Sequence, residues 1–355
     1  SMNPAFAAFA GFTHDDLREM LAYYRAHAGF AFDEATVFET MRRWYDNYRF
    51  APETGADGRE PPRVANPTLV LYYMQYFLQN HKPHPDLVDR NLRTDYMKIR
   101  HIITEGRKVN GNYHRLEDIV ARLGTTATLQ DSFQAKELGV EDNFVSFLFY
   151  NGLVTITDED FGQSRLGIPN LTVGEFLHDF VPKAYQDVYG VDPRIFDIAN
   201  GMADFARRGD WRTPVETACG VVSRYWKVRD AIEGERVVQT ALCSLLYVGH
   251  GPYIVYHERE SAGGFVDIAF EPQLNRWPQI GHAALVELNY LKAEDDASPA
   301  ALVRVKAAAA EQLARYAADH DLARAWNLKE IGGTVTLHRI AVVFHGGDIA
   351  LCEEI

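Results

Sequence analysis

The sequence predicts a mainly α-helical domain with a small β wing over residues 1–190, followed by an α/β domain over residues 191–355. The chain length of 355 residues suits two domains of ordinary size. Apolar residues follow helical spacing in the first half, whereas the second half mixes helical stretches with β-rich runs. The order α-β-β-β-α-β predicts a mixed sheet with helices on both faces.

Helix signals mark the first half of the chain. Thr13 stands before Asp15 and Asp16 as an N-cap with acids in the first helical turn. Helical spacing continues over residues 38–48, and Asn66-Pro67 restarts a helix after a loop rich in Gly, Pro and charge. Further helices are predicted over residues 95–104, 116–123 and 142–149, and a two-stranded wing over residues 152–156 and 166–170.

The second half contains the elements of the predicted sheet. A helix with Pro299 at its start precedes two closing strands, which Gly346-Gly347 joins as a tight hairpin. The predicted helices cover residues 233–248 and 299–320, and the predicted strands cover residues 253–258, 265–270, 283–290, 338–345 and 348–353.

Composition narrows the class of protein. Apolar residues at 47% and charged residues at 24% are typical of a soluble globular protein. No apolar run is long enough for a membrane span, and the N-terminus lacks a signal-peptide pattern. Three scattered cysteines form no disulfide framework or zinc-ligand spacing. We therefore expect a cytoplasmic location and no membrane partner.

The net charge of −13 argues against non-specific coating of nucleic acid. Any contact with nucleic acid must therefore use local basic patches, although such patches are also typical of solvated helix faces. The candidates are Arg90, Arg93, Lys98, Arg100, Arg107 and Lys108 in the first half, and Arg224, Lys227 and Arg229 in the second.

Two acidic residues lie in apolar runs that are predicted to form neighbouring strands. Asp267 follows Phe265-Val266, and Glu287 is flanked by Leu285-Val286 and Leu288. A carboxylate in an apolar strand must be paired, hydrogen-bonded or bound to a metal, because burying it alone is costly. The alternatives are a structural ion pair and a shared Mg²⁺ or Mn²⁺ site, typical of a metal-dependent phosphodiesterase. Glu235 is a third candidate ligand, unless it is a solvated first-turn acid.

The last long predicted helix contains further candidate site residues. Gln312 and Tyr316 are four residues apart and share one helix face, and Arg315 adds a cation beside them. Such a face is able to bind a phosphate or the attacking water. The alternative is that Tyr316 is a core residue and Gln312 a surface residue. Since no Walker-type phosphate loop occurs, we expect no ATP binding by this chain.

Several motifs together resemble a bacterial family in which an AAA-ATPase-like region precedes a PD-(D/E)XK nuclease-superfamily domain. In the second half, Gly264-Phe265-Val266-Asp267 and Glu287-Leu288-Asn289-Tyr290-Leu291-Lys292 resemble the G-x-x-D and E-L-K-Y-L-K signatures. Gln312-Leu313-Ala314-Arg315-Tyr316 matches the Q-x-x-x-Y motif of RecB-like and lambda-exonuclease-like members. In the first half, the similar stretches are Trp44-Tyr45-Asp46-Asn47-Tyr48-Arg49-Phe50, Asn66-Pro67, Asn91-Leu92-Arg93-Thr94-Asp95-Tyr96, Phe149-Tyr150-Asn151-Gly152-Leu153-Val154-Thr155-Ile156 and Ile168-Pro169-Asn170.

The resemblance implies a role for each part of the chain. Residues 1–190 would correspond to the helical, lid-like end of the ATPase-like region, with the nucleotide-binding core expected upstream. Asp267 and Glu287 would be metal ligands, and Gln312 and Tyr316 accessory site residues. The implied activity is hydrolysis of nucleic acid, with DNA favoured over RNA.

Two positions depart from the family pattern. Asn289 stands where the family has its signature Lys, and a neutral amide supplies no cation to polarise water or offset phosphate charge. Phe265 stands where a polar or basic residue is common. Lys292 is the candidate replacement cation. Strand alternation directs it away from the face of Asn289, unless the strand ends near Tyr290.

Two functions therefore remain open: a DNA nuclease that is weakened or is rescued by Lys292, and a catalytically silent nuclease fold that binds nucleic acid or protein. A structural helical partner for an ATPase would account for the first half alone.

Overall fold

The computed structural model divides the chain into two compact units, Ser1–Leu177 and His178–Ile355. The structure describes residues 9, 11–51, 61–84, 86–88, 112–228, 235–247 and 251–355. The predicted helix over residues 95–104 and the basic residues between 90 and 108 lie outside the described residues.

Capped helices form much of the first unit. Thr13 caps its first helix reciprocally, because the side chain accepts a hydrogen bond from the Asp16 amide while the Asp16 carboxylate accepts one from the Thr13 amide. Asn66 caps another helix, with Pro67 in its first turn. Both predicted helix starts are confirmed. The helices are α1 (His14–His27), α2 (Glu34–Tyr45), α3 (Pro67–Asn80), α4 (Asn112–Ala121) and α5 (Glu141–Tyr150).

The end of α2 differs from the prediction. Helical spacing over residues 38–48 suggested a continuous helix, but α2 ends at Tyr45. Asp46 is extended, and Asn47 takes a left-handed φ of 79°, which no helix continues through. Tyr48 then pairs with Val64 through reciprocal backbone hydrogen bonds. A contact distant in sequence therefore overrides the local pattern.

The wing of the first unit has three strands rather than the predicted two. They are β1 (Gly124–Ala127), β2 (Thr155–Asp160) and β3 (Gln163–Gly167), in the order β1-β3-β2. The prediction missed β1 because Gly-Thr-Thr-Ala has no apolar alternation, and its partner lies about forty residues away. Gly124 is required there, since an added Cβ would lie 2.3 Å from the Leu166 carbonyl oxygen.

The second unit contains the predicted mixed sheet with flanking helices. Its strands lie in the order β4-β5-β6-β7-β8, and only the β6–β7 pair is parallel. Helix α6 (Leu171–Tyr189) begins in the first unit and ends in the second. The elements that follow are α7 (Ile195–Arg208), α8 (Arg212–Val228), α9 (Glu235–Leu246), β4 (Tyr253–Ser261), β5 (Gly264–Pro272), β6 (His282–Leu291), α10 (Pro299–Ala317), α11 (His320–Ala325), β7 (Thr336–His345) and β8 (Asp348–Glu354).

Helix α10 makes the crossover between the two parallel strands. Such a connection needs a dozen or more residues, and a helix supplies them. Its inner face joins a buried cluster formed by Val266 and Leu285 from the sheet, Leu313 and Tyr316 from α10, and Trp326. This packing holds the second half of α10 beside the strands that contain the acidic residues. Among the described residues, no helix combines the length and apolarity needed to cross a membrane.

Candidate active site

Two acidic side chains meet where β5 and β6 separate. The pairing of these strands ends at Ile268 opposite Val286, and the next residue on each strand is Asp267 and Glu287 respectively. The Leu288 amide donates a 2.8 Å hydrogen bond to the Oδ2 atom of Asp267 instead of continuing the ladder. The regular ladder between the two strands therefore ends directly beside both carboxylates.

The environment of Asp267 disfavours its ionised form. Burial raises the pKa of this carboxyl to about 7, and the charges of Glu235 and Glu258 push the pKa in the same direction. The hydrogen bond from Leu288 acts in the opposite sense but does not offset them. A nearby cation would be needed to keep Asp267 fully ionised at neutral pH.

Glu287 is in a similar position. Its residue is only 7% exposed, and its Oε2 atom is buried without a hydrogen-bond partner among the described residues. Burial, followed by the charges of Asp267 and Glu235, raises its pKa to about 8, while Arg315 lowers it. A buried oxygen without a donor is costly and rare in proteins.

Gln239 of α9 orients the first carboxylate, a role that sequence reasoning missed. Its side chain is 3% exposed, and its Nε2 atom donates to the Asp267 carbonyl oxygen at 3.0 Å and to Oδ1 at 3.3 Å. The signal in the sequence was a single amide within the apolar stretch of this helix, between Val238 and Ala241. Only the docking of α9 shows which residue that amide contacts.

A further acid, Glu258, adds negative charge beside Asp267. It lies between His257 and Arg259, which pair with the two neighbours of Asp267 on β5. Its φ of 53° is left-handed, which is unusual for a residue with a side chain within a strand. Its carboxylate lies 3.9 Å from the guanidinium of Arg236, an exposed and therefore weak ion pair.

Glu235 begins α9 and influences both central acids through its charge. Glu235 is exposed in the first turn of this helix, as the solvated-acid alternative expects, although partial desolvation raises the pKa of its carboxyl. However, no group of three or more His, Cys, Asp or Glu side chains has a metal-binding arrangement within the described part of the chain. The structure therefore brings Glu235 into electrostatic range but does not form a three-residue ligand set.

The residues predicted on α10 lie close to one another. The Nε2 atom of Gln312 donates to the Tyr316 hydroxyl at 3.2 Å, and Tyr316 is buried in the core cluster. An added Cβ on Gly264 would lie 2.8 Å from that hydroxyl, so the Tyr ring packs directly against the start of β5. Arg315 is exposed, with its guanidinium carbon 5.2 Å from the Tyr316 ring centroid. Its charge also acts on Glu287.

The family-signature position and its proposed replacement lie apart. Asn289 is two residues after Glu287 on β6 and therefore shares its face. Lys292 is exposed, one residue beyond the end of β6, and its amide donates to Asp295. Five residues of strand span roughly 16 Å, so a Lys side chain does not bridge the distance to Glu287. The structure does not bring Lys292 to the carboxylates.

Phe265 does not fill the candidate site, because it is 58% exposed. Arg224 of the second basic patch is exposed on α8, and its Nε atom donates to the Gly220 carbonyl oxygen. The side chain of Lys227 and the whole of Arg229 lie outside the described residues. Of the predicted nucleic-acid contacts, only Arg315 is therefore seen beside the acidic pair.

Comparison with known proteins identifies a family for part of the chain. No curated protein and no solved structure matches the chain. Residues 233–354 match the family described as PD-(D/E)XK nuclease superfamily, and the matched segment runs from α9 to β8. The five-stranded mixed sheet and its flanking helices fit this superfamily. The second unit therefore contains a PD-(D/E)XK nuclease superfamily domain over residues 233–354.

Proposed function

We propose that the second unit hydrolyses phosphodiester bonds of DNA with the help of Mg²⁺ or Mn²⁺. The observation that carries the proposal is the buried Oε2 atom of Glu287 next to Asp267, which has no hydrogen-bond partner among the described residues, within a domain of a nuclease superfamily. A structural ion pair would need a basic partner for these acids. Among the described residues, the hydrogen bonds to the Asp267 carboxylate come instead from the Leu288 amide and from Gln239.

The residues present fit a divalent cation. Both carboxyl groups have raised pKa values because of burial, and a cation between them would favour their ionised forms. Mg²⁺ commonly binds through one or two carboxylates and keeps several waters, so it requires no third protein ligand. When bound, the metal would activate a water and offset charge on the phosphate.

The protein side chains would position this chemistry. Gln239 and the Leu288 amide hold Asp267 in one orientation, which limits the rearrangement needed for metal binding. Arg315 is a cation near Glu287 and would attract the negatively charged backbone of DNA. The hydrogen bond between Gln312 and Tyr316 would stabilise the part of α10 that carries Arg315.

The second candidate function is a catalytically silent nuclease fold that binds nucleic acid or a protein. Asn289 favours it, because a neutral side chain stands on the face of Glu287 where the resembling family has its signature Lys. Loss of one preorganised group that stabilises developing charge commonly lowers the rate by roughly 10²–10³-fold. The two functions share one fold and differ in whether the protein cleaves DNA.

The decisive experiment is cleavage of linear and circular DNA, single- and double-stranded, and of RNA, in Mg²⁺ and in Mn²⁺. Metal-dependent cleavage that disappears in Asp267→Ala would establish a working nuclease. Silence in the parent with cleavage by Asn289→Lys would mean a scaffold disabled at one position. Silence in both proteins, together with unchanged folding, would overturn hydrolysis and support the binding module.

A further inference from the structure

Two of the three cysteines come together in the second unit. Cys219 lies on α8 and Cys352 lies on β8, far apart in the sequence. A hydrogen bond joins the two thiol groups, and no covalent bond links them. The scattered positions of the cysteines predicted no disulfide framework, so the packing of α8 against β8 is what brings this pair together.

Contacts on either side of the cysteine pair fix the packing of α8 against β8. The indole Nε1 atom of Trp211 donates to Oε2 of Glu354 at 2.8 Å, and the Ser223 hydroxyl donates to the Gly347 carbonyl oxygen at 2.6 Å. On both elements the cysteine lies between these two contacts. Cys352 also shares one face of β8 with Glu354, because the two residues are separated by one position on the strand. The face of β8 that meets α8 is therefore the face that carries Cys352.

The two thiols differ in exposure and in acidity. Cys219 is fully buried, whereas Cys352 is half-buried. The hydrogen bond from Cys219 lowers the pKa of Cys352 and the charge of Arg212 acts in the same sense, although burial and Glu216 oppose them. The same hydrogen bond, together with burial, raises the pKa of Cys219. Cys352 is therefore the thiol that more readily ionises and that solvent reaches, with a protonated thiol directly behind it.

The third cysteine has a different environment and serves as an internal comparison. Cys243 is buried on α9, and its Sγ atom donates to the Tyr256 carbonyl oxygen at 3.7 Å. Burial raises the pKa of this thiol, so its reactive thiolate form is rare. An accessible thiol of lowered pKa beside a second cysteine is typical of oxidant-sensitive sites, and Cys243 lacks both the exposure and the acidity.

We propose that Cys219 and Cys352 form a modification site that hydrogen peroxide converts reversibly into a disulfide. The Cys352 thiolate attacks one peroxide oxygen, so that an S–O bond forms, the O–O bond breaks and hydroxide leaves. The Cys219 thiol then gives up its proton and attacks the sulfur of the resulting sulfenic acid, so that the S–S bond forms and water leaves. Two electrons pass from the thiols to the peroxide, and an added dithiol reverses the change by thiol–disulfide exchange. The inference does not depend on hydrolysis of DNA.

The disulfide would tie the last strand of the sheet to a helix. In the described sheet, β8 pairs with β7 alone. A cross-link between residues distant in sequence stabilises a fold chiefly by restricting the unfolded chain. We therefore expect oxidation to raise the melting temperature of the second unit by roughly 5–15 °C, and a dithiol to reverse the shift.

The test treats the full chain with hydrogen peroxide in EDTA, which prevents metal-catalysed oxidation. After catalase treatment, free thiols are alkylated in urea and peptides are mapped by mass spectrometry without reduction. A cross-linked peptide pair containing Cys219 and Cys352, with Cys243 alkylated, would support the proposal. Dithiothreitol should then restore all three thiols. Cys243→Ala is the matched control and should form the same cross-link as the parent.

Two variants separate the roles of the paired thiols, and circular dichroism checks their folding. Cys352→Ser should slow the loss of thiols by roughly tenfold or more, because only buried thiols remain. Cys219→Ala should leave Cys352 as a sulfenic acid that dimedone traps. Absence of the cross-linked peptide from the oxidised parent would overturn the proposal. Oxidation of Cys243 as fast as Cys352, or cross-links found only between separate molecules, would overturn it as well.

Discussion

Replacing Glu287 by Gln should make the metal-free protein more stable at alkaline pH. Glu287 has its pKa raised from 4.5 to about 8, chiefly by burial, so the folded state binds this proton more tightly than the unfolded state. Its contribution to stability is therefore complete below about pH 4.5 and is lost as the pH rises to about 8. A glutamine has no ionised form and escapes this loss.

The size of the effect follows from the pKa difference. A rise from 4.5 to about 8 corresponds to an upper bound of about 5 kcal/mol at pH values above 8. Part of the rise comes from repulsion by Asp267, which is itself protonated over part of this range, and the glutamine amide still requires burial. We therefore expect Glu287→Gln to raise the free energy of unfolding by about 2 kcal/mol at pH 8.5, with little change at pH 5.

The assay is urea unfolding in EDTA from pH 5 to pH 9, followed by tryptophan fluorescence. Trp211, Trp226, Trp277 and Trp326 all lie in the second unit and report on it. Glu311→Gln on the exposed side of α10 is the matched control and should leave the pH profile unchanged. Excess Mn²⁺ should stabilise the parent and reduce the advantage of the variant. A variant less stable than the parent at pH 8.5 would refute the reasoning.

Three further perturbations have defined outcomes. Gln239→Leu should lower the affinity for Mn²⁺ by roughly tenfold, because the Asp267 carboxylate loses its orienting amide. Calorimetric titration with Mn²⁺ measures this affinity, and an unchanged value would argue against the orienting role of Gln239. Gly264→Ala should destabilise the fold by about 1–3 kcal/mol, since its Cβ would lie 2.8 Å from the Tyr316 hydroxyl. In a Tyr316→Phe background this loss of stability, measured by urea unfolding, should be smaller. An equal loss in both backgrounds would contradict the contact. Within the described part of the chain, neither ring nitrogen of the buried His257 has a hydrogen-bond partner. Burial lowers the pKa of His257 to about 4, so stability should fall as the pH drops from about 6.5 towards 4. His257→Leu should reduce the stability difference between pH 7 and pH 4 by up to about 3 kcal/mol. Thermal unfolding of parent and variant at both pH values measures it, and the same difference in both proteins would count against this explanation.

Local patterns were sufficient for most elements of the fold. Thr13 and Asn66 predicted helix starts because a side-chain cap depends only on the next three residues. The sheet of the second unit was equally visible, since each strand is an apolar run bounded by turn residues, and Gly346-Gly347 marks the final hairpin. Strand β1 and the end of α2 were missed because distant partners, Gly167 for β1 and Val64 after α2, determine them.

For the acidic pair, too, the sequence predicted the residues but not their surroundings. The sequence identified Asp267 and Glu287 because a charge within an apolar strand is costly unless it has a function. Their adjacency at the opening between β5 and β6, and the contact with Gln239, depend on strand register and on the docking of α9. The sequence left Lys292 open as a replacement cation, and the end of β6 at Leu291 sets its distance from Glu287.

Local patterns in the sequence therefore identified the strands of the second unit and the carboxylates that are costly to bury alone, whereas helices α6, α7 and α8 were not predicted. The groups that surround those carboxylates follow from the packing of elements distant in sequence, as the contact between Gln239 and Asp267 shows. The physical reason is range: capping, periodicity and side-chain burial act over a few residues, whereas pKa shifts, hydrogen-bond partners and cavities arise from residues far apart in the chain.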